Sequence, residues 1–132
     1  MTEIRLEHVS YAYDDEKILE DINLEVTSGE VVSILGPSGV GKTTLFNLIA
    51  GILEVQSGRI VLDGEENPKG RVSYMLQKDL LLEHKTVLGN IILPLLIQKV
   101  DKAEAIARAD EILATFQLTS IRDKYPHELS GG

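Results

Sequence analysis

The hydrophobic pattern opens with short extended segments and closes with helices. Ile4-Arg5-Leu6-Glu7-His8-Val9 alternates apolar with polar positions, the mark of a strand with one buried face. Ile18, Leu19, Ile22, Leu24 and Val26 define a second strand, with a turn at Asp14-Asp15-Glu16 between the two. Thr27-Ser28-Gly29-Glu30 is a further turn, and Val31-Val32-Ser33-Ile34-Leu35 is then almost continuously apolar. That pattern suits a strand buried on both faces, as in a parallel α/β sheet. After a glycine-rich loop, Leu45, Leu48, Ile49 and Ile52 recur at helical spacing over Thr43 to Ala50, with Gly51 near the end. Gly58 to Leu62 and Val72 to Leu76 read as further strands joined by a polar loop containing Asn67-Pro68-Lys69-Gly70. From Thr86 the character is helical. Asp101 with Glu104 three places on resembles a capping box, and Ile106, Ala109, Leu113 and Phe116 mark one face of a helix reaching about Gln117. Tyr125-Pro126-His127 interrupts the pattern before Leu129-Ser130-Gly131-Gly132.

Composition narrows the classes. The chain of 132 residues has the size of one domain, and 43% hydrophobic against 26% charged residues excludes a disordered chain. A net charge of −8 argues against a general nucleic-acid binder, which needs a basic face for phosphates. It leaves room for a nucleotide, because a local cradle of amides and one lysine suffices. With no cysteine, neither disulfides nor a thiolate metal site is available. Met1 to Glu7 carries Glu3, Arg5 and Glu7 and has no apolar signal core. The greasiest stretch, Val87 to Val100, is cut by Gly89, Asn90, Pro94, Gln98 and Lys99, well short of the roughly 20 apolar residues of a bilayer span. The chain is expected to be soluble, with any membrane role exerted through a partner.

The strongest chemical signal is Gly36-Pro37-Ser38-Gly39-Val40-Gly41-Lys42-Thr43, which fits G-x-x-x-x-G-K-[ST] without departure. Glycines let backbone amides approach phosphate oxygens where a side chain would collide. Lys42 supplies a compact positive charge for the β and γ phosphates, and the Thr43 hydroxyl is placed to ligate Mg²⁺. Thr44 continues into the helix, whose positive end helps to hold the anion. The cradle expected to hold the nucleotide is therefore Gly36, Ser38, Gly39, Val40, Gly41, Lys42, Thr43 and Thr44. This motif alone does not choose among kinases, GTPases, helicases and transport ATPases.

With that loop in place, the chain resembles the ATP-binding cassette family over essentially its whole length, on three further features. Tyr13 stands where the family has an aromatic residue that stacks on adenine, with Tyr11 a nearby competitor. Gln77, after Val72-Ser73-Tyr74-Met75-Leu76, matches the glutamine whose amide oxygen reaches Mg²⁺ and the attacking water, in a loop that contacts the membrane subunit. Leu129-Ser130-Gly131-Gly132 matches the first four residues of the L-S-G-G-Q signature. In the family that signature faces the γ-phosphate held by a second subunit, so the resemblance implies a dimer in which Ser130, Gly131 and Gly132 complete the partner's site. The spacing from Asp63-Gly64 to Gln77 and the wording from Leu80 to Asn90 look most like the nitrate, sulfonate and taurine importer branch.

The resemblance implies an α/β P-loop fold, a nucleotide-binding domain incomplete at its C-terminal side. Its antiparallel β subdomain and part of a parallel core sheet would occupy about residues 1–84, and a helical subdomain about 85–132. It implies ATP and Mg²⁺ as ligands, a second ATPase subunit, transmembrane permease subunits, a solute-binding protein, and a peripheral place on the cytoplasmic face of the membrane. Lys42 and Gln77 would be the catalytic residues present. The family's general base, a Glu after an apolar strand, is not among these 132 residues, so they are expected to bind ATP without useful hydrolysis. Two other readings stand beside this one: a soluble cassette ATPase outside transport, and a nucleotide-binding remnant. His8, His84 and His127 need no catalytic role.

Overall fold

The computed structural model describes residues 3–130. The chain divides into two compact units with the break between Met75 and Leu76. The first holds strands β1 (Glu3–Tyr13), β2 (Glu16–Thr27), β3 (Ser57–Leu62) and β4 (Glu65–Glu66) and helix α1 (Lys42–Ile49). The strands form one sheet in the order β2-β1-β3-β4, every neighbour antiparallel.

Alternation along β1 buries Leu6 and Val9, three residues apart rather than two. The pairing accounts for the odd step. Leu6 faces Leu24 and Val9 faces Ile22, so β1 carries one extra residue, His8; from Val9/Ile22 to Tyr11/Leu19 the extra residue lies on β2, where Asp21 stands. Both take a φ of 51°, and His8 Nδ1 lies 2.7 Å from Asp21 Oδ1. Two adjacent bulges thus cancel, and the apolar set stays on one face. Leu6, Val9, Leu19 and Ile60 from that face close over Leu45 and Leu48 of α1 to form the core, with Ile34 packed at its margin.

Neither the parallel-sheet strand expected at Val31–Leu35 nor the further strand expected at Val72–Leu76 forms: both segments run as irregular backbone. Val31 is 94% exposed and Leu35 91%. A strand of that kind needs hydrogen-bonding neighbours and a cover on both faces, and no segment among the described residues pairs with either. Only the side chain of Ile34 reaches the core.

The second unit contains α2 (Val87–Ile97) and α3 (Lys102–Thr115), followed by short 3₁₀ turns at Thr119–Ile121 and Pro126–Glu128. Ile92 packs on Ala105 and Ala109, whose small side chains let the two helices approach closely. Thr86 caps α2 by accepting from the Gly89 amide at 3.1 Å. Asp101 caps α3, but it accepts from Ala103 at 2.9 Å, and Glu104 pairs with Arg108 instead of reaching back. The expected reciprocal box is therefore a one-sided cap, because the helical pair four residues on competes for the Glu104 carboxylate. Among the described residues no helix is long and apolar enough to cross a membrane.

Candidate functional site

The glycine-rich loop leads directly into α1. Gly41 is the N-cap of that helix with a φ of 108°, and no side chain caps it. A Cβ there would lie 2.8 Å from Ile18 Cγ2 and 3.1 Å from the Ile18 carbonyl oxygen. Glycine is thus required twice, by the backbone angle and by the seating of the helix start against β2. The first turn of α1 contains no acidic residue. Its leading amides and the positive helix end therefore meet no anion from their own helix turn, as an anion-binding terminus requires.

Lys42 Nζ donates to the carbonyl oxygens of Gly36 at 2.5 Å and Pro37 at 2.6 Å. The ammonium is drawn into the loop that the phosphate motif defines. Ser38, Gly39 and Val40 form an exposed turn, with Gly39 at a φ of 81°. Thr43 is exposed, while Thr44 is buried against the core. The two neighbouring threonines therefore separate: Thr43 has a hydroxyl free for solvent or a ligand, and Thr44 serves packing and a helix-terminal amide.

The end of the β1–β2 hairpin lies near this loop through β2. Tyr13 pairs with Glu16, two residues before the Ile18 that meets Gly41. Two strand residues span about 7 Å. Tyr13 is 45% exposed, whereas Tyr11 packs against the core; the rings meet edge to face with centroids 5.0 Å apart. Tyr11 braces, and Tyr13 keeps a free face. Gln56, which is not among the residues singled out by sequence, accepts from the Ala12 amide at 2.8 Å and donates to the Ala12 carbonyl at 2.9 Å. No sequence pattern marks such a contact, since its partner is backbone 44 residues away.

In the second unit Gln77 is exposed on irregular backbone, ahead of a turn organised by Asn90. The Asn90 side chain accepts from the Leu82 amide at 2.8 Å and donates to the carbonyls of Leu82, Lys85 and Thr86 at 3.2, 3.2 and 3.0 Å. The amides of Val87 and Leu88, at the start of α2, donate to the carbonyls of Lys124 and Arg122 at 2.8 and 2.9 Å. Arg122 in turn grips Asp110 of α3 through Nε at 2.6 Å and a second nitrogen at 3.2 Å. That hydrogen bond holds the Asp110 carboxyl below its usual range. The segment leading to Ser130 is thus tied to both helices. Ser130 is exposed; Gly131 and Gly132 lie outside the described residues. His8, His84 and His127 are all at the surface.

Comparison with known proteins follows the same outline. The family model described as "ABC transporter" matches residues 19–132. The chain is 40% identical over 134 residues to the spermidine/putrescine import ATP-binding protein PotA of Aggregatibacter actinomycetemcomitans, covering 98% of this chain and 36% of that protein. It is 38% identical over 134 residues to the sulfate/thiosulfate import ATP-binding protein CysA of Thermosynechococcus vestitus, covering 98% and 40%. Among solved structures, the dimeric post-hydrolysis state of the ATP-binding cassette MJ0796 bound to ADP and Pi superposes with a TM-score of 0.77 at 28% identity, covering 97% of this chain and 63% of that one. The chain thus spans less than half the length of these curated relatives.

Proposed function

Since the chain belongs to the ABC transporter family and has the fold of its ATPase domain, we propose that it is the nucleotide-holding part of an ATPase subunit that energises a membrane importer of small molecules. The observation that carries this reading is the Gly36–Thr43 loop, which ends on an α1 start with no side-chain cap and draws the Lys42 ammonium inward. Such a loop is complementary to a chain of phosphates and to little else. The printed names of PotA and CysA, both import ATP-binding proteins, support the direction of transport.

ATP is the substrate this cradle fits. Lys42 would exchange its loop carbonyls for β- and γ-phosphate oxygens, while amides from Ser38 to Thr44 donate to the same chain. The exposed Thr43 hydroxyl is a hard oxygen donor of the kind Mg²⁺ takes. When bound, Mg²⁺ neutralises phosphate charge and helps to align the terminal phosphate. Gln77 is assigned to the same cation and to the attacking water on the family pattern alone. Ser130, with Gly131 and Gly132, is assigned to the γ-phosphate of a second subunit, a role that the dimeric state of MJ0796 supports.

On this reading residues 1–132 belong to one nucleotide-binding domain, and hydrolysis belongs to the larger ATPase that contains it. That ATPase would work as a dimer on the cytoplasmic face of the membrane, docked to permease subunits and served by a solute-binding protein. The narrower branch for nitrate, sulfonate and taurine rests only on the wording of Leu80–Asn90 and the Asp63-to-Gln77 spacing. Polyamine and sulfate or thiosulfate are the substrates in the relatives' names. The test is equilibrium binding of ATP in Mg²⁺ by the parent chain and by Lys42→Ala. The variant is expected to bind at least about 10-fold more weakly, the worth of a charge-assisted hydrogen bond, with an unchanged far-ultraviolet circular dichroism spectrum. Equal affinity in the two proteins would overturn the reading.

A further inference from the structure

We infer that Gln56 is a positioning residue for the nucleotide base, acting through the backbone that carries Tyr13. This deepens the nucleotide reading above and rests on it. The β1–β3 ladder stops at Ser10 and Ser57, leaving the amide and carbonyl of Ala12 without a partner on β3. Gln56 lies just before β3, and its carboxamide takes over the ladder's work. Its oxygen accepts from the Ala12 amide at 2.8 Å and its nitrogen donates to the Ala12 carbonyl at 2.9 Å. Only a carboxamide offers a donor and an acceptor side by side in the geometry of a strand neighbour.

Ala12 is the residue next to Tyr13, and on its other side it pairs with Lys17 of β2. With Ala12 hydrogen-bonded to Gln56 on one side and in register with Lys17 on the other, the last step of β1 is fixed before the chain turns at Asp14, which sits at a φ of 50°. Tyr13 then projects from an immobilised backbone and is braced by the edge of Tyr11. Neither Gln56 nor Ala12 belongs to the phosphate loop. Gln56 therefore acts on recognition of the base and leaves recognition of the phosphates alone.

The test compares binding of ATP with binding of inorganic tripolyphosphate, both in Mg²⁺, by the full chain and by Gln56→Ala, Gln56→Glu, Tyr13→Ala and the double variant Tyr13→Ala/Gln56→Ala. Gln56→Ala is expected to weaken ATP by roughly 3- to 10-fold, the scale of one net hydrogen bond, and to leave tripolyphosphate within about 2-fold. Gln56→Glu keeps the acceptor and loses the donor, so it should fall between the parent and the alanine variant. The double variant should bind ATP no more weakly than Tyr13→Ala, since the two residues act as one unit. Equal loss for ATP and tripolyphosphate in Gln56→Ala, or additive losses in the double variant, would assign Gln56 to general stability and overturn the inference. Loss of ATP affinity in Tyr13→Ala with none in Gln56→Ala overturns it alone. A parent chain that binds neither ligand overturns the nucleotide reading and this inference together.

Discussion

Gly41 and Gly39 occupy one loop and have left-handed backbone angles, yet their surroundings separate them. A Cβ at Gly39 would have nothing within 4 Å, whereas at Gly41 it would meet Ile18 at 2.8 Å. Gly39→Ala therefore carries backbone strain alone, about 1–2 kcal/mol. Gly41→Ala adds a steric conflict with β2 and should cost more, on the order of 2–4 kcal/mol. Thermal melts of the two variants check the ranking, and a larger fall in melting temperature for Gly39→Ala would contradict it. Gly41→Ala should also weaken ATP binding, because the start of α1 would have to move away from Ile18. The motif spells out glycine at position 41 and leaves position 39 free; the fold shows that both take left-handed angles and that Gly41 is the packed one.

Most elements were legible because local chemistry declares them. The turn at Asp14–Asp15, the helical character from Thr86 and the cap at Asp101 stand where the pattern put them, as do Leu45, Leu48 and Ile49 of α1 and Ile106, Ala109 and Leu113 of α3. Ile52 and Phe116, by contrast, lie past their helix ends and are exposed. His8 and Asp21 were not legible as bulges, since a slipped register shows only when two strands are set side by side. Nor was the role of Asn90, whose four hydrogen bonds organise Leu82 to Thr86 just ahead of α2. Asn90→Ala is expected to destabilise the second unit by about 1–3 kcal/mol and to speed hydrogen exchange at the Leu82 amide; unchanged exchange there would count against the account. The Asp110–Arg122 pair adds a pH dependence. Because the folded carboxyl titrates below its unfolded value, its contribution is present above the unfolded pKa and is lost as pH falls through the folded one. The acid limb of stability should therefore steepen below about pH 4 and flatten in Asp110→Asn, as helix loss on acid titration would reveal.

At the scale of the whole chain, the expected parallel strand shows what local pattern cannot supply. Val31–Leu35 has the composition of a buried strand, yet among the described residues it has no neighbour to bond, and Val31 and Leu35 face outward. Val31, Leu35 and Met75, each more than 90% exposed, are surface that water disfavours. The 132-residue chain on its own is thus expected to self-associate as its concentration rises, and Val31→Lys/Leu35→Lys should keep it dispersed while leaving the β1–β3 ladder intact. Sedimentation velocity over a concentration series checks this, and concentration-independent sedimentation of the parent would refute it. The strand order β2-β1-β3-β4 also governs the order of events as the chain folds. β1 and β2 meet through a short turn, but β1 and β3 must find one another across 52 residues of chain, the separation of Glu7 from Arg59. The phosphate loop and α1 lie inside that closure. The β1–β2 hairpin and the α2–α3 pair can form within microseconds, while the long closure waits on a rarer encounter. Until it occurs, the core beneath α1 lacks Ile60, so the loop that leads into α1 is expected to settle last, together with the completed sheet.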